Sequence, residues 1–215
     1  ITLDKSLKHK HFAGTESFGV DSIDMRAEVG LLSRNIVFRG DTKTSKDNEY
    51  GATIFLHSDG DESVITRLSH VEMYNVGQGY KVGRNAINFH KIGEVSKSFC
   101  EGLSIYEGFN RAIGLNDVRS LTLNNNVIFD VMGHNIYLAD GTETNNTITN
   151  NLVMKTKRSW SLLNTDTTPA SFFISNPDNT LIGNRAAGSD SYSYWYNLYS
   201  QTQGTDSEDS NCPQG

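Results

Sequence analysis

Nowhere in the 215 residues does an apolar run approach the roughly 18 to 20 residues of a membrane helix, so direct membrane insertion by this segment is not expected. An excess of positive charge is missing too. The net charge is -6 and the pI near 5.5, which argues against nucleic acid or an anionic membrane as the main partner, since both reward a basic face. Cysteine is scarce: Cys100 and Cys212 are the two present, and two cysteines make no disulfide framework. A Cys100–Cys212 disulfide stands as one expectation, beside a buried thiol at Cys100 and an unrelated thiol at Cys212. The chain opens on Ile1 without an initiator Met or a signal-like segment, so it is expected to be processed or cut from something longer.

Sustained helical periodicity is the most telling absence. Leu121 to Met154 shows the alternative. Leu121 and Leu123 alternate around Thr122, three asparagines follow, then Val127-Ile-Phe129, a turn at Gly133-His-Asn135, Ile136 and Leu138, and a turn at Asp140-Gly141. Short period-2 pieces bounded by Asn, Asp and Gly read as strands. With 19 glycines and a hydrophobic content of 36%, the composition suits a turn-rich β protein.

Strand material recurs along the chain at Val29, Leu31, Ile36 and Phe38, at 52–57, at 64–74, at 103–106, at 111–115, at 161–164, at 172–177 and at 180–184. Residues 1–199 are expected to form one domain and 200–215 a polar tail. Arg26, Glu28 and Arg34 are close enough in sequence to pair across a turn. Thr42 to Tyr50 reads as a polar loop. Asp59-Gly-Asp-Glu62 invites calcium, yet it does not complete an EF-hand, and a solvated turn is preferred. Gly77, Gly79 and Gly83 have the wrong spacing for a dinucleotide loop. The aromatic group Tyr192, Tyr194, Trp195, Tyr196 and Tyr199 reads first as strand alternation and second as a sugar-stacking face.

The strand-opening phrases at Leu103-Ser-Ile105, Leu121-Thr-Leu123, Asn146-Thr-Ile148 and Asn179-Thr-Leu181 repeat with a loose period, a floor near 20 residues and insertions. That pattern marks a solenoid whose loops vary on one face. Val118, Leu121, Leu123 and Asn126 match a leucine-rich repeat once, but no helical return follows. The fold expected is all-β, a right-handed parallel β-helix. Asparagines from 124–126, 150–151 and 184 are expected to stack at one corner, with aliphatics stacked inward at about 4.8 Å per rung. Strand edges at the two ends make self-association an expectation.

The phrases Arg26-Ala-Glu-Val-Gly-Leu-Leu-Ser-Arg-Asn-Ile-Val, Val71-Glu-Met-Tyr-Asn-Val-Gly-Gln, Tyr106 to Ala112, Asp130-Val-Met-Gly and Asp140-Gly-Thr-Glu-Thr resemble the segment after the G8 domain in the fibrocystin-L family and its hyaluronan-binding relatives. So do the phrases from Ser161 to Phe172, at Asn176-Pro-Asp-Asn-Thr and at Ala186-Ala-Gly. The resemblance covers roughly residues 10 to 197. It implies a right-handed parallel β-helix in a large extracellular or cell-surface protein, often ciliary. For the hyaluronan branch it implies carbohydrate binding or cleavage.

Acid/base work on a glycan asks for carboxylates and His in a groove, with Arg and aromatic groups to hold sugar. Arg84, Asn88, His90 and Arg111 are the ligand-binding candidates. His90, Asp140 and His134 are the candidates for catalysis. The hyaluronan-linked relatives carry a phrase like Ile-His-Phe-His before an acid. Here Asn88 stands where their first His stands, and Glu94 replaces the acid. Asparagine shuttles no proton at neutral pH and is a poor metal ligand, so no metal or other cofactor is expected apart from the calcium reading. His90 reads first as a hydrogen-bonded structural histidine and His134 as a corner residue with its ring half out. Asn145-Asn-Thr147 is a glycosylation sequon.

The expectation is a non-catalytic extracellular module that binds glycan or protein or serves as a structural unit. The alternative is a glycosaminoglycan-degrading enzyme, and a filament subunit is a third reading.

Overall fold

The computed structural model describes residues 4–58, 63–160, 164–199 and 202. Ile1–Gly30 form a unit of their own. Its described part holds an antiparallel hairpin, Thr15–Phe18 against Asp21–Asp24, with exposed strands. Arg26 pairs with Asp24, Nη2 to Oδ2 at 2.5 Å, a partner the sequence reading did not name. Arg34 belongs to the second unit, Leu31–Gly215, where its Nε donates to the Gly102 carbonyl.

The second unit is the coil. Its chain visits three parallel sheets in turn, and every strand pairs with its counterpart one coil away. Sheet 1 holds the three-residue strands Arg67–Ser69, Phe99–Glu101, Thr122–Asn124, Thr147–Thr149 and Thr180–Ile182. Sheet 2 holds Ile36–Arg39, Val71–Val76, Ser104–Gly108, Val127–Met132, Leu152–Lys157 and Arg185–Ala187. Sheet 3 holds Ile54–His57, Ile87–Glu94, Ile113–Arg119, Ile136–Leu138, Ala170–Ile174 and Tyr192–Tyr196. This is a parallel β-helix, and no coil returns through a leucine-rich-repeat helix among the described residues.

Alternation within each strand sends one set of side chains inward, where they stack by register. Leu68, Cys100, Leu123, Ile148 and Leu181 form the column of sheet 1. Phe38, Met73, Ile105, Ile128, Val153 and Ala186 form that of sheet 2. Ile54, Ile87, Ile113, Ile136, Phe172 and Tyr194 form that of sheet 3. The register corrects the repeat: the coil before Leu123 contributes Cys100, while Leu103-Ser-Ile105 opens sheet 2 instead of sheet 1.

The corner from sheet 1 to sheet 2 repeats without variation. Its step is three residues in every coil, from Ser69 to Glu72, Glu101 to Ser104, Asn124 to Val127, Thr149 to Leu152 and Ile182 to Arg185. One left-handed residue makes each turn: His70, Gly102, Asn125, Asn150 and Gly183 all have positive φ. Glycine and asparagine tolerate that region best, which explains why the corner is written in those letters. Beside it Asn126 Nδ2 donates to Asn151 Oδ1 at 2.9 Å, and Asn151 Nδ2 to Asn184 Oδ1 at 2.9 Å. Each oxygen also accepts a backbone N–H, so the expected ladder runs through Asn126, Asn151 and Asn184. A second ladder, Asn146 to Asn179 at 3.0 Å, marks the entry to sheet 1.

The corner from sheet 2 to sheet 3 varies. Its step is nine residues from Ser104 to Ile113, from Val127 to Ile136 and from Arg185 to Tyr194. It is 17 from Val37 to Ile54, 15 from Glu72 to Ile87 and 20 from Leu152 to Phe172. The first of these insertions corrects the loop expected at 42–50, because Thr44–Asn48 is a short helix. Asp41 Oδ1 accepts from the Lys43 and Thr44 amides and starts it, and Glu49 ends it in a left-handed conformation. The last insertion carries a 3-10 turn, Asn164–Thr167. Residues 161–163, placed among the strand material by sequence, lie outside the described residues.

Candidate functional site

Sheet 3 turns its second set of side chains outward beneath these insertions. By register the row reads Phe55, Asn88, Gly114, Tyr137, Phe173 and Trp195, and beside it His57, His90 and Asn116. Gly114 is required in the middle of the row. A Cβ there would come within 2.0 Å of Asn85 Nδ2 and 2.9 Å of Asn88 Oδ1. The missing side chain lets Asn85 fold over the strand and donate to Asn88 at 2.6 Å. Asn88 is therefore largely buried, with its Oδ1 taken by Asn85.

Gly114 also divides the face. On one side Phe173 meets Trp195 edge-on at 5.2 Å and Tyr137 at 5.1 Å. His134 joins them, stacked on Tyr137 at 5.4 Å. Its ring is fully buried, which corrects the half-exposed corner residue read from the sequence. The reason is the longest of the insertions, in the 20-residue step from Leu152 to Phe172, which brings Asp166 over it. His134 Nδ1 accepts from the Ala170 amide at 3.0 Å, so the ring is neutral with its proton assigned to Nε2. Burial pushes this imidazole down to about 4.

Arg111 lies in the same cluster at 5% exposure, a correction to its place among groove residues. Nε and Nη2 donate to the two oxygens of Asp166 at 3.0 and 2.5 Å, and the guanidinium lies 3.8 Å from the Tyr137 ring centroid. Burial works against the Asp166 charge, but the Arg111 fork outweighs it and holds the carboxyl below its usual range. Every strong donor and acceptor of the Arg111–Asp166 fork points into the wall. The cluster pins the insertion to the coil.

On the other side of Gly114 the groups face solvent. Arg84 caps the Phe55 ring at 5.0 Å. The Phe55 ring lies 5.8 Å from His90 and 6.3 Å from His57, and the two imidazoles are 5.0 Å apart. One coil further, Asn116 Nδ2 donates to Asp140 Oδ2 at 2.9 Å. Asp140 is half-buried and caps its own turn through the Thr142 hydroxyl at 2.8 Å. Glu143, fully buried behind it, accepts from the amides of Asp117 and Gly141 at 3.1 Å each. Burial and the neighbouring Asp140 push it up to about 8 against the pull of those donors.

Of the residues singled out by sequence, the structure thus brings Arg84 and His90 together, puts Asp140 two coils on from His90 with Asn116 between them, and withdraws Asn88, Arg111 and His134 from solvent. Asn145 is exposed at a left-handed corner, its Nδ2 bonded to the Ser120 hydroxyl at 2.9 Å. Cys100 is a fully buried thiol pushed up to about 12 by desolvation, and Cys212 lies outside the described residues. Asp59 to Glu62, which carried the calcium reading, lie outside them as well.

Sequence reasoning missed His57, Phe55, Asp166 and Glu143. A signal for the first two was present: Ile54-Phe-Leu-His57 and Ile87-Asn-Phe-His90 are the same phrase one coil apart. Asp166 had none, because its partner is 55 residues away and outside the repeat. A trough of about 370 Å³ on the outside of sheet 1, lined by Lys97, Phe99, Glu101, Thr122, Asn124 and Thr149, was also unforeseen.

Comparison with known proteins bears on this geometry. The CEMIP beta-helix family matches residues 49–214. Fibrocystin-L of Mus musculus is 31% identical over 239 residues, covering 95% of this chain and 6% of that protein. The cell surface hyaluronidase CEMIP2 of Homo sapiens is 34% identical over 227 residues, covering 87% of this chain and 16% of that protein. A G8 domain-containing protein of Dictyostelium discoideum is 30% identical over 213 residues, covering 87% of this chain and 13% of that protein. The chain spans less than a fifth of each of these relatives.

Proposed function

Because the chain belongs to the CEMIP β-helix family, we propose that it is a non-catalytic binding module of an extracellular or cell-surface protein, with an acidic glycan as its ligand class. One observation carries the reading. Two of the candidates read from the sequence, the Arg111 guanidinium and the His134 imidazole, are buried in the wall of the coil. What faces solvent is a ring with a cation, Phe55 under Arg84, next to His57 and His90. A flat ring beside a positive charge suits a sugar face that bears a carboxylate. The name cell surface hyaluronidase belongs to the human relative and supplies the polymer to test.

A second reading, glycosaminoglycan cleavage, rests on His90 standing in register with Asn116, which holds Asp140. Titration with hyaluronan, run beside a depolymerisation assay on the same sample, separates the two. Binding weakened at least tenfold in Arg84→Ala, with no shortening of the polymer, is the expected result. Shortening that disappears in His90→Ala overturns the non-catalytic reading. An absence of both leaves a structural unit, and end-to-end association through the terminal strands becomes the next measurement.

A further inference from the structure

We propose that His57 and His90 form a two-imidazole chelate for a divalent transition-metal ion of tetragonal preference, Cu2+ or Ni2+. The two residues lie opposite each other on hydrogen-bonded parallel strands. Ile54 and Leu56, Ile87 and Phe89 take the inward positions of those strands, so both imidazoles leave the sheet on its outer side. Their ring planes are inclined by 35°, and the two Nδ1 atoms stand 3.0 Å apart. His57 Nδ1 is also 3.1 Å from the His90 carbonyl oxygen, an acceptor, so in the metal-free protein His57 Nδ1 carries the proton.

That separation, a hydrogen-bond length in the metal-free protein, lies nearer one coordination geometry than the other. With metal–nitrogen bonds of about 2.0–2.1 Å, two nitrogens 3.0 Å apart subtend an angle of roughly 95° at the ion. A tetrahedral site needs a nitrogen separation of about 3.3–3.4 Å with the same bonds. The pair therefore matches neighbouring corners of a square plane, the arrangement Cu2+ and Ni2+ favour. On binding, the His57 Nδ1 proton leaves to solvent, the contact of that nitrogen with the His90 carbonyl is given up, and the ion takes the Nδ1 lone pair of each ring while each Nε2 keeps its proton. Its remaining positions go to water or to an anionic ligand. A strand pair in a packed coil presents both rings at fixed spacing, so little side-chain freedom is lost when the ion arrives. The inference does not depend on the glycan reading.

The test is calorimetric titration of the whole chain with Cu2+ and Ni2+ at neutral pH, with an electron paramagnetic resonance spectrum of the Cu2+ form. His9 and His11 are exposed near the start of the chain, so the titration is run in a His9→Asn/His11→Asn background. The expected result is one site whose spectrum shows two imidazole nitrogens in the plane. His57→Asn and His90→Asn each weaken it at least tenfold. Both positions lie toward the surface, and far-UV circular dichroism checks each fold. Independently of any variant, Ni2+ should protect both imidazoles of the unmodified chain from carbethoxylation. Binding that is undiminished in either variant, a spectrum with a single imidazole, or no saturable site and no protection overturns the proposal.

Discussion

Two corners of the same coil follow opposite rules. Between sheets 1 and 2 the step is three residues in every coil, with one left-handed residue and a buried asparagine ladder. Between sheets 2 and 3 it ranges from nine residues to 20, from Ser104–Ile113 to Leu152–Phe172. The first corner closes its hydrogen bonds by repetition, each asparagine serving the next. The second needs individual solutions, a capped helix in one coil and the Arg111–Asp166 fork in another. Repetition builds the frame, and departure from it gathers the aromatic, basic and acidic groups onto one face.

The largest test of that contrast is to break the individual solution. Asp166→Ala leaves Arg111 charged and buried, a defect worth about 3–5 kcal/mol, read as a lower midpoint in urea unfolding. The double change Arg111→Met/Asp166→Leu should recover most of that loss, since no buried charge remains.

A smaller effect comes from acid. The folded pKa of His134, about 4, lies below the ordinary 6.5, so the unfolded chain takes up a proton first as pH falls. The stability that His134 contributes is whole above pH 6.5 and is lost between there and about 4, on the order of 3 kcal/mol in all. His134→Asn, which keeps an acceptor for the Ala170 amide, should flatten that limb of the stability profile.

The repeated corner should yield less to a single change. Asn151→Ala strands the Asn126 amide in the interior and breaks the side-chain ladder on both sides, costing about 2–3 kcal/mol in the same urea experiment. A cost above that of Asp166→Ala would reverse the ranking of the two corners.

Much of the frame was legible in the sequence because its chemistry is local. Asn125 and Asn150 announce left-handed turns, and Leu121, Leu123, Ile136 and Leu138 alternate as strands must. Phase was harder. Cys100 was hidden behind Leu103-Ser-Ile105, since both alternate and the register alone tells sheet 1 from sheet 2. The face was least legible. His57 meets His90 across 33 residues and Arg111 meets Asp166 across 55, distances fixed by insertion lengths that no local pattern encodes. Burial reversed the reading of Arg111 and His134 for the same reason.

The corner built on His70, Gly102, Asn125, Asn150 and Gly183 has a consequence for engineering. It acts as a spine that keeps adjacent coils in phase whatever hangs from the opposite side. Foreign loops grafted between Gly77 and Arg84 should leave the columns aligned, whereas one residue added beside Asn125 would throw every later rung out of step. Within the coil of Leu31–Gly215, the loops of the variable corner should be exchangeable without retuning the repeated one.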